Sequence, residues 1–191
     1  MGIADVNVHR FSLHDVPARP WKNHGGTTRE LVSSPPGADL DTFAWRASVA
    51  TISADGPFSQ FPGVDRTIVL LSGDGLRLRG TSTNHQLDAR GAPFRFDGAS
   101  RLHCSLIAGP CTVLNIMTRR DLGATHLDVA TAPTTISATD GMVLIVRGDW
   151  QLGGDSISAG SGLWWRGAPP QQRLQPTGGS GQLVLVRWEP R

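Results

Sequence analysis

A strand–turn–strand unit that occurs twice restricts this chain to a narrow set of folds. TIVLLSGDGLRL at 67–78 resembles MVLIVRGDWQL at 142–152, with Gly73-Asp74 matching Gly148-Asp149. PFRF at 93–96 has a counterpart in GLWW at 162–165, and CTVLNIMTR at 111–119 echoes GQLVLVRW at 181–188. Three matches in one order, at similar offsets, describe two copies of one β-unit. Each copy is a hairpin turned at Gly-Asp, a further strand and a closing strand, which together make a small antiparallel barrel. Long helical periodicity is absent, and short runs of Val, Ile, Leu, Thr, Phe and Trp alternate with Gly, Pro, Asp and Ser. One short helical turn is expected at 118–122.

Small barrels with this order of parts are cupins. The chain therefore reads as all-β, a bicupin of two antiparallel cupin-type barrels or jelly rolls in one compact chain. The expected division is an N-terminal barrel with the ligand pocket at 1–121 and a smaller structural barrel at 122–191, packed as one unit. A length of 191 residues suffices to bury a real core.

Composition excludes several functions. A net charge of +2, arginines scattered singly and no nucleic-acid motif argue against nucleic acid. No apolar run reaches membrane-spanning length, and nothing resembles a signal peptide. The opening MGIADV has Val6 where a myristoylation signal needs Ser or Thr. A cytoplasmic location is expected, without membrane association. Cys104 and Cys111 flank a turn-like stretch; in a chain without an export signal they read as reduced core residues.

Polar side chains recur inside the apolar strands of residues 20–73. Successive strand residues face opposite sides, so Thr28, Glu30 and Val32 are expected on one face and Arg46, Ser48 and Ala50 on one face of theirs. A barrel offers only lumen and outside, so charges in such strands imply a polar, ligand-admitting lumen. Arg46 either clamps a ligand carboxylate or pairs internally with Glu30 or an aspartate. Glu30 has the matching alternatives, pairing with Arg46 or Arg66 or accepting a ligand N–H. Trp21 and Trp45 fill the core or wall a pocket. Asn23 reads as turn chemistry or as part of an anion-cradling glycine segment. Thr28 and Ser48 serve neighbouring backbone or a ligand. Asn115 interrupts the apolar strand VLNIM and shares a face with Val113 and Met117, which directs it into the lumen. The second copy has Leu185 at the matching position, so only the first barrel is expected to hold a polar pocket. Phe58 and Phe61 read as packing at the barrel mouth.

Cupins often hold a metal through an HxH pair, a Glu and a further His. Here FSQFPG stands where HxH would precede the hairpin, and Asp65-Arg66 stands where the Glu would be. The histidines at 9, 14, 24, 85, 103 and 126 show no HxH or HxxxH spacing. No metal and no cofactor are expected. Arg66 would repel a cation and suits an anion.

WKNHGGTTREL, FAWRASVATISADGPFSQFPGVDRTIVLLSGDGLRL and CTVLNIMTRR together resemble the HutD/Ves family of bicupins, closely over residues 19–120 and by strand pattern alone beyond. His24 stands where that family usually carries a third glycine, a residue that permits positive φ or close approach of a ligand. The resemblance implies association with histidine utilisation. It also implies a non-catalytic protein that binds a small pathway intermediate and restrains expression or flux. The expected site is Trp21, Asn23, His24, Thr28, Glu30, Trp45, Arg46, Ser48, Arg66, Asn115 and Met117. The expected ligand is an acidic histidine-degradation intermediate, urocanate or N-formylglutamate. An alternative is a metal-independent cupin enzyme, an isomerase, hydrolase or lyase acting on a small carboxylate with Glu30 as general base. A homodimer through an exposed sheet edge is compatible with the fold.

Overall fold

The computed structural model describes residues 7–167 and 172–191. The opening MGIADV, read above for a lipidation signal, lies outside the described residues. The strands are β1 (Asn7–Ser12), β2 (Arg19–Pro20), β3 (Gly26–Ser34), β4 (Trp45–Ile52), β5 (Gly56–Pro57), β6 (Val64–Ser72) and β7 (Leu76–Arg79). They continue with β8 (Asn84–Leu87), β9 (Pro93–Asp97), β10 (His103–Leu106), β11 (Cys111–Arg119), β12 (Gly123–Ala130) and β13 (Thr134–Ile136). The last are β14 (Asp140–Arg147), β15 (Asp149–Leu152), β16 (Asp155–Ser158), β17 (Ser161–Arg166), β18 (Gln172–Pro176) and β19 (Gln182–Pro190). Among the described residues there is no helix. The helical turn expected at 118–122 is instead the end of β11 and a tight turn. There the Arg120 N–H bonds Gly63 O at 3.0 Å, so it is unavailable to a helical ladder. Among the described residues no helix is long and apolar enough to cross a membrane.

The chain divides into two compact units: Pro17–Gly123, and Ala124–Arg191 with the segment up to Val16. The N-terminal strand thus departs from the expected division at 1–121. β1 pairs antiparallel with β17 in the register Asn7↔Arg166 to Ser12↔Ser161. It covers the edge that β17 would otherwise leave open.

Each unit repeats one eight-strand plan. In the first unit β4–β11 form one sheet in the order β4-β11-β6-β9, extended by β3 and β2, and another in the order β5-β10-β7-β8. In the second, β12–β19 form β12-β19-β14-β17, extended by β1, and β13-β18-β15-β16. Numbered within the unit, both read 1-8-3-6 and 2-7-4-5, an antiparallel jelly roll of the cupin kind. The matched Gly73 and Gly148 both turn with positive φ, +86° and +72°, which explains why the repeat is visible at that dipeptide.

Side chains from the two sheets of the first unit meet in an apolar core that includes Ala50, Ile52, Ile68, Leu70, Leu76 and Val113. The expectation of a polar lumen is corrected here: most of the interior is packed hydrophobic. Alternation sets Ala50 and Ile52 on the same face as Ser48, so polar groups are confined to one end. Cys104 and Cys111 are free, buried thiols of this core. Burial pushes them up to about 12 and about 11, so both are neutral at physiological pH.

Candidate functional site

The inner face of the first unit's larger sheet is laid out in rows across its strands. One row runs Arg46, Met117, Arg66, Phe96. The next runs Glu30, Ser48, Asn115, Ile68, Phe94. The third runs Thr28, Ala50, Val113, Leu70, and is already apolar beyond its threonine. Two adjacent rows therefore carry the polar groups, and the pairing of β4, β11 and β6 brings residues from distant parts of the chain side by side.

Within these rows the two arginines behave differently. Arg46 donates from Nε to Glu30 Oε2 at 2.8 Å and from Nη1 to Ser48 Oγ at 3.4 Å. Of its two sequence readings, the internal pair with Glu30 is the one formed. Arg66 is only 8% exposed and meets no carboxylate among the described residues. Its Nε and Nη2 donate to Asn115 Oδ1 at 3.3 and 3.0 Å, and its Nη1 donates to Ser59 O at 3.1 Å. Phe58, Phe61 and Phe96 surround the guanidinium at 5.3, 5.5 and 5.0 Å. Ring faces attract a cation, but they also exclude the water that would solvate it. Burial, together with the neighbouring charge of Arg46, pulls Arg66 down to about 10. Desolvation therefore outweighs the neutral acceptors, and the charge is under-compensated.

The aromatic surround was read from sequence only as mouth packing. The loop after β5 carries it into place through short backbone bonds: Phe58 N–H to Leu102 O at 2.9 Å and Phe61 N–H to Gly98 O at 2.7 Å. Gln60 Nε2 adds a bond to Ala99 O at 2.7 Å. Phe96 arrives by the β6–β9 register, directly opposite Arg66. Local sequence contains neither signal; only the pairing partner of β9 would have supplied one.

Several expected site residues lie elsewhere. Trp45 is fully buried but faces the opposite side of β4 from Arg46, as sequence neighbours in a strand must. It cannot wall the arginine layer. Asn23 and His24 belong to the β2–β3 turn, next to Gly26, which lies four residues and roughly 13 Å along β3 from Glu30. Asn23 Oδ1 accepts the Gly25 N–H at 3.1 Å, the turn chemistry considered for it. Trp21 and Thr28 are joined to each other, Nε1 donating to Oγ1 at 2.7 Å, so the indole has spent its one donor. Met117, by contrast, stays in the layer between the two arginines, where it also packs with Phe43 and Val64. Val32 does not share the face of Thr28 and Glu30, because a register shift between Glu30 and Val32 pairs Val32 with Ala47.

His24 has φ of 57°, a left-handed conformation that glycine adopts freely. The penalty for a non-glycine residue there is about 1–2 kcal/mol, partly offset by the larger entropy glycine loses on folding. His24→Gly is expected to stabilise the protein by about 0.5–1 kcal/mol in urea denaturation.

The second unit shows how the same frame looks without the polar layer. Leu185 stands opposite Val143 as Asn115 stands opposite Ile68. Gly141 stands opposite Trp165 as Arg66 stands opposite Phe96. A Cβ on Gly141 would lie 2.6 Å from the Trp165 ring, so the indole occupies the space where an arginine stem would begin. The polar layer is a property of the first unit.

Chemically the layer offers two guanidinium groups, an amide and a hydroxyl. After accepting from the arginines, Asn115 keeps its two amide hydrogens and Ser48 its hydroxyl hydrogen. This is a donor set for a small anion, and among the described residues no three of His, Cys, Asp and Glu gather as a metal would require.

Comparison with known proteins places this frame. The HutD family model matches residues 13–183. Protein Ves of Citrobacter koseri is 37% identical over 182 residues, covering 94% of this chain and 94% of that protein. The structure of HutD from Pseudomonas fluorescens SBW25, solved in a formate condition, superposes with a TM-score of 0.86 at 26% identity, covering 97% of this chain and 100% of that one. A formate complex of oxalate decarboxylase from Lactobacillus farciminis shares the fold alone, with a TM-score of 0.63 at 10% identity and coverage of 97% and 87%.

Proposed function

The chain belongs to the HutD family of cupin-fold proteins, and from that premise we propose that it binds a small acidic metabolite without transforming it. The metabolite is an acidic intermediate of histidine breakdown, urocanate or N-formylglutamate, and its binding modulates histidine utilisation in the cytoplasm. Neither nucleic acid nor a lipid surface enters this reading, and a homodimer is compatible with it. The observation that carries it is Arg66: a buried cation whose charge no described carboxylate offsets, beside a second arginine. A ligand carboxylate supplies the missing charge and accepts the donors left on Arg66, Arg46 and Asn115.

A thermal-shift panel of urocanate, N-formylglutamate, histidine and glutamate tests the reading. At a hundredfold excess over Kd, a ligand stabilises the folded state by about 2.7 kcal/mol, a shift of several degrees. One of the two acids is expected to produce it, and Arg46→Ala is expected to abolish it while leaving the fold intact. Survival of the shift in Arg46→Ala would remove that residue from the site. Turnover of either acid by purified protein would overturn the non-catalytic half of the reading.

A further inference from the structure

The layer already contains one carboxylate, and its place decides which anions fit. Glu30 stands in the row beside Ser48 and Asn115, with its carboxylate on Arg46 Nε. Its side chain is 46% exposed against 11% for Arg46, so Glu30 forms the outer rim of the layer. Other charges nearby are committed elsewhere: Arg119 donates to the carbonyls of Phe43 and Asp41, and Asp65 pairs with Arg95 and Arg120. Two guanidinium groups and one carboxylate leave a single positive charge unmatched. A monocarboxylate cancels it. A second carboxylate on the same ligand would meet Glu30 with no cation left to separate the two, and like charges at such range repel strongly.

We propose that Glu30 is a specificity-determining residue that makes the site selective for singly charged carboxylates over dicarboxylates. The inference rests on the carboxylate-binding reading above and narrows it: of the two acids named there, it admits urocanate, which has one carboxylate, and excludes N-formylglutamate, which has two. Glu30→Gln is the informative change, because the amide oxygen still accepts from Arg46 Nε while the charge is gone. Acetate and malonate, both fully ionised at pH 7.5, are titrated calorimetrically into the wild-type protein, Glu30→Gln and Glu30→Asp. The wild-type protein and Glu30→Asp are expected to favour acetate. Glu30→Gln is expected to move the affinity ratio at least tenfold toward malonate. Acetate binding with an unchanged ratio in Glu30→Gln overturns the proposal and leaves the carboxylate site standing. Binding of neither acid by any of the three proteins overturns the site reading, and the proposal with it.

Discussion

Replacing Arg66 by Met and Asn115 by Leu together is expected to yield a protein more stable than its parent by about 1–4 kcal/mol. The shift of Arg66 from 12.5 to about 10 corresponds to about 3 kcal/mol of penalty on its charged form at neutral pH. A methionine of similar length avoids that penalty and packs well against Phe58, Phe61 and Phe96. Asn115 must change with it, because its Oδ1 would otherwise lose both of its donors in a buried position, at about 1–3 kcal/mol. Asn115→Leu alone is expected to be the worst of the set, about 3–5 kcal/mol below wild type, since it strands the cation. The second unit supports the outcome for the pair, as it carries Leu185 at the position of Asn115 and no arginine at that of Arg66. Urea denaturation is expected to rank the double variant above wild type and Asn115→Leu last, with Arg66→Met, whose gain and loss nearly cancel, between those two. Such a ranking identifies the polar layer as retained against stability, the mark of a functional site.

Gly141→Ala is expected to cost about 3 kcal/mol by the opposite cause, the lack of any room. The added Cβ would stand 2.3 Å from Val186 O on β19 and 2.6 Å from the Trp165 ring. The first neighbour is sheet backbone and cannot move without breaking the β14–β19 ladder. The second is a fully buried indole held by its Nε1 bond to Ala138 O at 3.0 Å. Gly154→Ala is the control, since a Cβ there meets nothing within 4 Å and its φ is ordinary. That change is expected to stay within about 0.5 kcal/mol of wild type. A melting temperature for Gly141→Ala equal to that of the control would contradict the packing described for the second unit.

The double jelly roll was legible because its signals are local. Gly-Asp turns, alternating strands and their repeated order survive in a single sequence, and the Asn115–Leu185 contrast marks a row in which the two units differ. What failed was long-range or sterically subtle. Pairing of β1 with β17 joins residues more than a hundred positions apart and leaves no mark in the N-terminal sequence. The irregularity between Glu30 and Val32 moves Val32 to the other face, against simple counting. Of the two readings open to Trp45, the core one holds, because its adjacency to Arg46 in a strand puts the two on opposite faces. Asn23 forms the turn bond that its sequence offers, whereas nothing local tells that the turn lies away from the arginine rows. The aromatic surround of Arg66 depends on loop anchoring and strand register, which no local window contains.

Calorimetric titration of acetate into the wild-type protein and into the Arg66→Met, Asn115→Leu double variant tests the central claim most directly. One-site binding in the former and none in the folded latter is the expected result. Equal binding by both proteins would contradict it, because the anion would then be held by groups other than this buried guanidinium and its amide.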